Sequence, residues 1–286
     1  MSGAVKIPKT IIGAEYYHNM NITGKNISVA VLDSGLTIHP DIKPYRIIAF
    51  IDFIEDGKAP YDDYSHGTHV TGIIASKRIG IAPETNIISI KVLDKKGSGN
   101  IDTFIEGIKW ILKNHKAYNI RIVNISIGST TKELTFGNNI LNKWVKKLWD
   151  EGIIVCCSAG NNGPKAGTIT APGNCKEVIT VGSSDGKHFS SAGALTPFIT
   201  KPEIVAPGYH ILSTKPYSGY QIKNGTSMSV PFVSGAIALL LQLNPGLSND
   251  EVKLSLMNSA TPSNHLPYNM QGAGELSLHG LLSQYI

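Results

Sequence analysis

Four short segments of the sequence each place a residue with catalytic potential beside an apolar run. These residues are Asp33 in VAVLDSGL, His69 in HGTHVTGIIA, Asn161 in CSAGNNGP and Ser227 in NGTSMSVPFVSGA. Ser227 is expected to open a long apolar helix, whose free N–H groups favour negative charge, so its hydroxyl is a candidate nucleophile. The Asn161 amide is a neutral donor that suits a developing oxyanion. Asp33 lies where a buried strand ends, which is where parallel sheets place their sites.

Each of these residues also has an ordinary structural interpretation. Asp33 could cap the turn after its strand, Ser227 could be a helix N-cap, and Asn161 could occupy a left-handed turn. His66 and His69 are three residues apart, a spacing that metal ligands use, but no nearby set of Cys, His or Glu completes a zinc site. The Gly-Thr pair between the two histidines suits the entry to a helix instead. It is the combination of Asp, His, Asn and Ser along the chain that favours chemistry.

The elements that must position these residues alternate between strands and helices. Apolar, β-branched runs predict strands at 27–32, 86–93, 120–125, 153–157, 178–181 and 203–205. Helical spacing predicts helices over 69–76, 101–115, 138–150, 227–243 and 248–259, the last with a capping box at Ser248 and Glu251. This alternation predicts an α/β fold, a three-layer, doubly wound sandwich with a mostly parallel central sheet. Without a repeat or a composition break, we expect one domain over residues 1–286, with residues 1–10 as an N-terminal extension.

Composition narrows the class of protein. The chain has 286 residues, of which 42% are hydrophobic and 16% charged, so it is neither disordered nor a coiled coil. Its net charge of +5 comes without a dense basic stripe, which argues against a nucleic-acid partner. The longest apolar run, Ala236 to Leu241, is too short to span a bilayer, so no membrane partner is expected.

Location is predicted from the cysteines and the N-terminus. There are three cysteines, and Cys156 and Cys157 are adjacent, too close along the chain for a normal disulfide. No signal peptide is visible. Unpaired thiols favour a reducing compartment, so we expect a cytoplasmic protein. The alternative is a secreted mature enzyme whose signal and prodomain are absent from this chain.

The four segments closely resemble the signatures of the subtilisin-like serine proteases, whose chain order is Asp, His, Ser. Further matches are KGSGNIDTFIEGIKW at 96–110, NISIGS at 124–129, APGNCKEVITVG at 171–182 and KPEIVAPG at 201–208. The resemblance extends from about residue 11 to residue 282 and is strongest to the intracellular bacterial type. It implies the subtilisin-like fold and a serine endopeptidase that forms an acyl-enzyme.

The resemblance also implies a role for each matching residue. Ser227 would be the nucleophile, His69 the general base and then acid, and Asp33 the group that orients the imidazole. Asn161 and the Ser227 N–H would form the oxyanion hole.

A polypeptide substrate would bind as an extended strand between two backbone edges, with an apolar pocket further along and a main pocket whose floor is Thr170. The residues implied are Gly97, Ser98 and Gly99 on one edge, Ser126, Ile127 and Gly128 on the other, Ile101, Phe104 and Ile127 in the apolar pocket, and Ser158, Gly160 and Thr170 in the main pocket. Core packing is the alternative interpretation of the apolar members.

The sequence departs from the family pattern at several positions. Ser229 and Phe232 stand where the family usually has Ala and His. The segment SKRIGIAP at 76–83 is shorter than in calcium-stabilised relatives, so Asp41 would lack the partners that a calcium ion needs. We therefore expect that no cofactor is required and that this calcium site is missing, while a weak calcium site elsewhere stays open.

Alternative functions remain at this point. A protease that specifically matures leaders or proproteins carries the same residues as a broad endopeptidase. A pseudoprotease would bind peptides without cutting them, although all four catalytic residue types are present. A nucleotide-binding α/β protein is disfavoured because no Gly-x-Gly-x-x-Gly follows the first strand. The oligomeric state is not indicated by the sequence.

Overall fold

A parallel sheet of seven strands forms the centre of the computed structural model, which describes residues 4–128, 139–186, 188–193 and 201–286. The strand order is β2-β3-β1-β4-β5-β6-β7, and every neighbouring pair is parallel. The strands are β1 (Ser28–Asp33), β2 (Ile47–Asp52), β3 (Asn86–Lys91), β4 (Ile120–Ile125), β5 (Ile154–Ser158), β6 (Ile179–Ser183) and β7 (Ile204–Ala206). A separate antiparallel hairpin pairs β8 (Ile211–Thr214) with β9 (Tyr220–Lys223).

Helices cover the sheet, as the alternation predicts. They are α1 (Pro8–Ile11), α2 (Ala14–His18), α3 (His66–Ala75), α4 (Ile101–Asn114), α5 (Ile140–Asp150), α6 (Thr226–Leu243), α7 (Asn249–Ser259), α8 (Tyr268–Gln271) and α9 (Leu278–Leu282). Helices α3 and α6 contact each other and the sheet, and α4 and α5 do the same as a second pair. The result is the three-layer α/β sandwich expected from the sequence. The predicted capping box at the start of α7 is present in Ser248 and Glu251.

Three strands of the sheet, β1, β5 and β6, are buried along their whole length, which agrees with their largely apolar sequences. All six residues of β1 and all five of β5 and β6 are buried, because helices cover both faces of a parallel sheet. The edge strand β2 is mostly half-buried and was not predicted. The helix predicted over 138–150 corresponds to α5, which begins at Ile140, and the predicted start, Asn138, lies outside the described residues.

Helix α6 is the most apolar helix in the described part of the chain. Its 18 residues have a mean hydropathy of 1.5, which by length and composition alone would allow it to cross a membrane. It extends well beyond the short apolar run, Ala236 to Leu241, noted in the sequence. However, 83% of it is buried within the protein, and Phe232 in its middle is fully buried. Its apolar character is thus accounted for by burial in the core.

The strand order reverses at β1, and this reversal determines where a site can form. From β1 the chain builds β3 and β2 on one side and β4 to β7 on the other. Connections leave the carboxyl ends of β1 and β4 in opposite directions, so a crevice opens between them. Asp33 ends β1, and Ser126 follows β4 at the same edge of the sheet. Ser158 ends β5, the next strand along.

Candidate active site

A carboxylate and an imidazole meet at the carboxyl end of β1. His66 Nδ1 lies 2.7 Å from Asp33 Oδ1, with the Asp33 side chain buried and that of His66 17% exposed. Because a carboxylate oxygen can only accept, Nδ1 carries the proton and donates it. The other ring nitrogen, Nε2, is then the one free to accept a proton from a neighbouring group. Asp33 Oδ1 also accepts from the Ser34 N–H at 2.7 Å.

The prediction that His69 is the histidine paired with Asp33 is wrong. His69 is fully buried, one turn further along α3, and its Nε2 donates to the carbonyl oxygens of Ile211 and Gln221 at 3.1 and 3.2 Å. Burial, followed by the charge of Lys223, lowers the pKa of His69 to about 3. His69 therefore joins α3 to the β8–β9 hairpin as a neutral imidazole.

The sequence contains a signal that separates the two histidines. The helix predicted over 69–76 starts three residues too late, since α3 begins at His66. His66 follows the polar run Tyr61–Ser65, whereas His69 begins the run HVTGIIA, all of which is buried. A histidine inside a continuous buried run faces the core, and one at the first helical position can face a crevice.

A single buried carboxylate, Asp62, holds the loop that carries His66. Its Oδ1 accepts from the Ser34 hydroxyl and from the N–H groups of Tyr64 and Ser65, at 2.8 to 3.1 Å. Its Oδ2 accepts from the N–H and the hydroxyl of Thr68 at 2.8 and 2.7 Å. These five bonds join the end of β1 to the first turn of α3. Asp62 was not identified from the sequence.

Glycine at position 67 allows α3 to start directly against the end of β1. A Cβ on Gly67 would lie 2.1 Å from the Gly35 carbonyl oxygen and 3.2 Å from Cβ of Asp33. Since real Cβ atoms do not approach so closely, any larger residue would push the helix start away from Asp33. The Gly67 N–H donates to the Ser34 hydroxyl at 2.9 Å. The Asp33–His66 distance is thus set by backbone packing as well as by hydrogen bonds.

Ser227 lies in the first turn of α6, as its second residue. Gly225 is the N-cap, with φ of 139°, a conformation that disfavours other residues, and Thr226 is the first helical residue. Ser227 is therefore not the N-cap considered in the sequence. Its N–H belongs to the first turn, where helix N–H groups have no partner within the helix. Its side chain is half-buried and lines the same cavity as His66.

The Asn161 side chain is oriented toward the start of α6. Its Oδ1 accepts from the N–H and the hydroxyl of Thr226 at 3.0 and 3.2 Å. The same hydroxyl accepts from the Gly160 N–H at 3.1 Å. A Cβ on Gly225 would lie 3.3 Å from Asn161 Nδ2. The amide oxygen is therefore engaged, and Nδ2 is the group left to donate beside Ser227.

A cavity of about 640 Å³ extends from His66 and Ser227. It brings together the two predicted backbone edges and the apolar pocket residues. Tyr64, Leu141 and Pro172 also line it and were not identified from the sequence. Its predicted lining residues are Gly97, Ser98, Gly99, Ile101, Phe104, Ser126, Ile127 and Gly128.

Thr170 lies between two of the predicted pocket walls. A Cβ on Gly128 would be 3.1 Å from Thr170 Oγ1, and one on Gly160 would be 3.4 Å from it. The gap between these two backbones is thus filled at one end by the threonine side chain. Ser158, buried at the end of β5, is two residues before Gly160.

Among the described residues, no group of three or more His, Cys, Asp or Glu could hold a metal ion. What the site offers is a hydroxyl at a helix start, an oriented imidazole and an amide donor beside an open cavity. This combination can activate a serine and stabilise an oxyanion, which are the two requirements of acyl transfer.

Comparisons with known proteins show which family the chain resembles. The family model Peptidase_S8, described as the subtilase family, matches residues 24–274. The chain is 36% identical to serine protease AprX of Bacillus subtilis (strain 168), covering 91% of this chain and 67% of AprX. It is 34% identical to subtilisin Savinase of Lederbergia lenta, covering 90% and 91% of the two chains. A solved structure of a cold adapted subtilisin-like serine proteinase superposes with a TM-score of 0.74 at 28% identity, covering 90% of this chain and 88% of that one.

Proposed function

The chain belongs to the subtilase family and is a subtilisin-like serine protease, and from this premise we propose that it is an endopeptidase whose catalytic triad is Asp33, His66 and Ser227. The observation that carries the proposal is the 2.7 Å bond between His66 and Asp33 beside the cavity that Ser227 lines. His66 takes the place that the sequence interpretation gave to His69.

The proposed mechanism begins with proton transfer from Ser227 to Nε2 of His66. The serine oxygen attacks the substrate carbonyl carbon, and the carbonyl electrons move to oxygen to give a tetrahedral oxyanion. When the intermediate collapses, the C–N bond breaks, and His66 gives its proton to the leaving amine. Water then repeats the sequence on the acyl-enzyme and releases the acid. Asp33 keeps Nδ1 protonated throughout and stabilises the imidazolium that forms twice.

The oxyanion is proposed to bind between Asn161 Nδ2 and the Ser227 N–H. Support comes from the two bonds that Asn161 Oδ1 accepts from Thr226, which leave Nδ2 as the free end of the amide. The Ser227 N–H is in the first turn of α6, where the helix dipole also favours negative charge. Both donors are held before reaction begins, so no reorganisation is needed as charge develops.

The substrate is proposed to bind as an extended strand between residues 97–99 and 126–128. Both segments line the cavity and include glycines at which another backbone can approach closely. Ile101, Phe104 and Ile127 supply apolar surface in the same cavity for a side chain further from the scissile bond. The main specificity pocket would lie between Gly128 and Gly160, with Thr170 at its floor.

The test is covalent labelling of the purified protein by a fluorophosphonate, read by mass spectrometry. Wild type should be labelled at Ser227, Ser227→Ala should not be labelled, and His66→Ala should react far more slowly because the base is gone. His69→Gln is the matched control on the same helix and should retain labelling if it folds. Labelling of His66→Ala at the wild-type rate would contradict the triad proposed here.

A peptide library separates the remaining functions. Cleavage of many sequences would support a broad endopeptidase, and cleavage of a narrow set would support a protease that matures leaders or proproteins. Binding of peptides without cleavage, together with no labelling of Ser227, would identify a pseudoprotease instead.

For location, we propose the cytoplasm, with secretion as the alternative. Cys156, Cys157 and Cys175 are free and buried, which is compatible with a reducing compartment. Fractionation of the source cells, with the protein found only in the medium or periplasm, would contradict this proposal.

A further inference from the structure

A half-buried lysine beside the catalytic histidine has no part in the mechanism above. Lys223 is the last residue of β9 and comes four residues before Ser227. Its Nζ donates to the Ser65 hydroxyl at 3.1 Å, and Ser65 directly precedes His66. The Tyr64 ring, which lines the cavity, has its centroid 6.0 Å from the same Nζ.

This ammonium group lacks a close counter-charge. Within the described residues, no carboxylate lies within 4.0 Å of it, whereas the buried Lys91 and Lys201 each form an ion pair, with Asp63 and Glu203. Burial lowers the pKa of Lys223, while the more distant charges of Asp62 and Asp33 raise it. An ammonium has three N–H donors, and the Ser65 hydroxyl engages one of them. Charge and donors are therefore available to a ligand.

The position of Lys223 places it beside the path that the leaving group of the substrate would take. It does not line the cavity in which residues 97–99 and 126–128 would hold the acyl half of the substrate. His66 must protonate the leaving amine, so the residue that bears this amine passes close to His66 as the substrate leaves that cavity. Lys223, joined to His66 through Ser65, flanks this passage at the end of the β8–β9 hairpin.

We propose that Lys223 is a specificity-determining residue that binds the carboxylate of a substrate Asp or Glu directly after the scissile bond. This inference rests on the proposed function. The substrate carboxylate would supply the counter-charge that the protein does not, and the resulting bond would be charge-assisted. Asn or Gln at the same substrate position has the same shape without the charge and is the natural comparison.

The experiment compares two internally quenched peptides that differ only in Asp or Asn after the scissile bond. Both are amidated at the C-terminus, so that the side chain is the only carboxylate tested, and product masses establish that the same bond is cut. In wild type, kcat/KM for the Asp peptide should exceed that for the Asn peptide about fivefold at low salt. The ratio should fall toward one in about 1 M NaCl, where the Debye length is about 3 Å.

Three variants complete the test. Lys223→Gln should bring the ratio to about one, and Lys223→Arg should retain it, which shows that charge and not folding is responsible. Lys215→Gln removes an equal charge from an exposed lysine at the far end of the hairpin and should leave the ratio as in wild type. A wild-type ratio of one or less, or an unchanged ratio in Lys223→Gln, would overturn the inference.

The same measurements keep the two proposals apart. Cleavage of the Asn peptide that is abolished by Ser227→Ala supports the proposed function whatever the ratio is. If neither peptide nor any member of the library is cut, the proposed function fails and this inference with it.

Discussion

At the scale of single residues, Asn161 offers the most direct test of transition-state stabilisation. Asn161→Ala should lower kcat by about 10² to 10³ with little change in KM, a magnitude known from a member of this family. The reason is that Nδ2 donates mainly to the oxyanion, which exists only near the transition state. Steady-state kinetics on one peptide measures both constants. The neighbouring, exposed Asn162→Ala is the control, and a rise in KM alone for Asn161→Ala would mean a substrate contact or a structural turn instead.

Thr170 should set the size of the side chain accepted before the scissile bond. Its branched side chain fills the end of the gap between Gly128 and Gly160, so Leu, Met and Ala should be preferred over Phe and Tyr. A mismatch of one methylene in such a pocket changes binding by about 1 to 3 kcal/mol, so the preference should be graded. Thr170→Gly should raise kcat/KM for Phe and Tyr, while Thr170→Val, of equal size, should retain the wild-type ranking. If wild type already prefers Phe, Thr170 is not the floor.

The serine at position 229 should make the protein less stable than an alanine at the same position would. Its hydroxyl is fully buried and has no hydrogen-bond partner among the described residues. A buried hydroxyl without a hydrogen-bond partner lowers the free energy of unfolding by about 1 to 3 kcal/mol. Replacing serine by alanine removes this cost, but it also removes the packing contacts of the hydroxyl oxygen. Ser229→Ala should therefore raise the free energy of unfolding by about 1 kcal/mol in urea, measured in the inactive Ser227→Ala protein. Ser234→Ala, on the same helix, is the matched contrast and should lower it, since the Ser234 hydroxyl donates to Asn124 at 2.9 Å.

Residue types and order were enough to single out Asp33, Asn161 and Ser227 for the proposed site, but not the histidine that contacts Asp33 in the structure. Both His66 and His69 stand near a helix start, and the choice depends on where that helix begins. This in turn depends on side-chain contacts: Asp62 accepts four bonds from Tyr64, Ser65 and Thr68 and one from the distant Ser34. It also depends on the close approach of Gly67 to the distant Gly35. The local periodicity of apolar residues in the sequence does not indicate these contacts.

At the scale of elements, burial decided which strands could be predicted. The fully buried β1 and β5 have continuous apolar sequences, and β4 was predicted with its observed bounds. Strand β2 is the exception: its first five residues, Ile47 to Ile51, form an apolar run that was overlooked, and the strand lies mostly half-buried at the sheet edge. The hairpin β8–β9 has only four residues in each strand and is held by contacts to α3, including the two bonds from His69.

Asp41 should stabilise the protein by joining α3 to this hairpin without a bound ion. Its carboxylate accepts from the hydroxyl groups of Ser76, just after α3, and of Tyr220, at the start of β9, the latter at 2.9 Å. The exposed Arg78 guanidinium lies 3.6 Å away. Asp41→Ala should lower the free energy of unfolding by about 2 kcal/mol, because two partly buried donors lose their acceptor.

The same cluster predicts the response to chelation. Asp41 is the residue expected to match a calcium ligand of relatives, and here protein donors occupy its Oδ2, while the Arg78 guanidinium lies 3.6 Å from its Oδ1. EDTA should therefore leave the melting temperature of the Ser227→Ala protein within about one degree of its value in added calcium. A large fall on chelation that calcium reverses would reveal a site elsewhere.

At the scale of the whole molecule, stability should depend on pH through the buried His69. It is neutral in the fold, since its Nε2–H donates to two carbonyl groups and its Nδ1 has no partner among the described residues. Its pKa is about 3 in the folded protein, lowered first by burial, against about 6.5 in an unfolded chain. Between these values the unfolded state binds a proton that the folded state does not. The free energy of unfolding therefore falls as pH decreases from about 6.5 toward 3, and this group contributes no slope above 6.5.

Urea unfolding of the Ser227→Ala protein at pH 7.5 and pH 5 measures this dependence without self-digestion. The lower pH, pH 5, lies about 1.5 units below the pKa of about 6.5 in the unfolded chain. Protonation of His69 in the unfolded state therefore lowers the free energy of unfolding by about 2 kcal/mol at pH 5. The half-buried His18, whose pKa burial also lowers, adds to the loss with the same sign. His69→Gln keeps an amide donor for the carbonyl groups of Ile211 and Gln221 but cannot titrate. The fall in its free energy of unfolding between pH 7.5 and pH 5 should therefore be smaller than in wild type by about 2 kcal/mol, even if the variant is less stable at pH 7.5. The same substitution at the exposed His265 is the control, and an equal pH dependence in wild type and His69→Gln would mean that His69 is accommodated in its charged form.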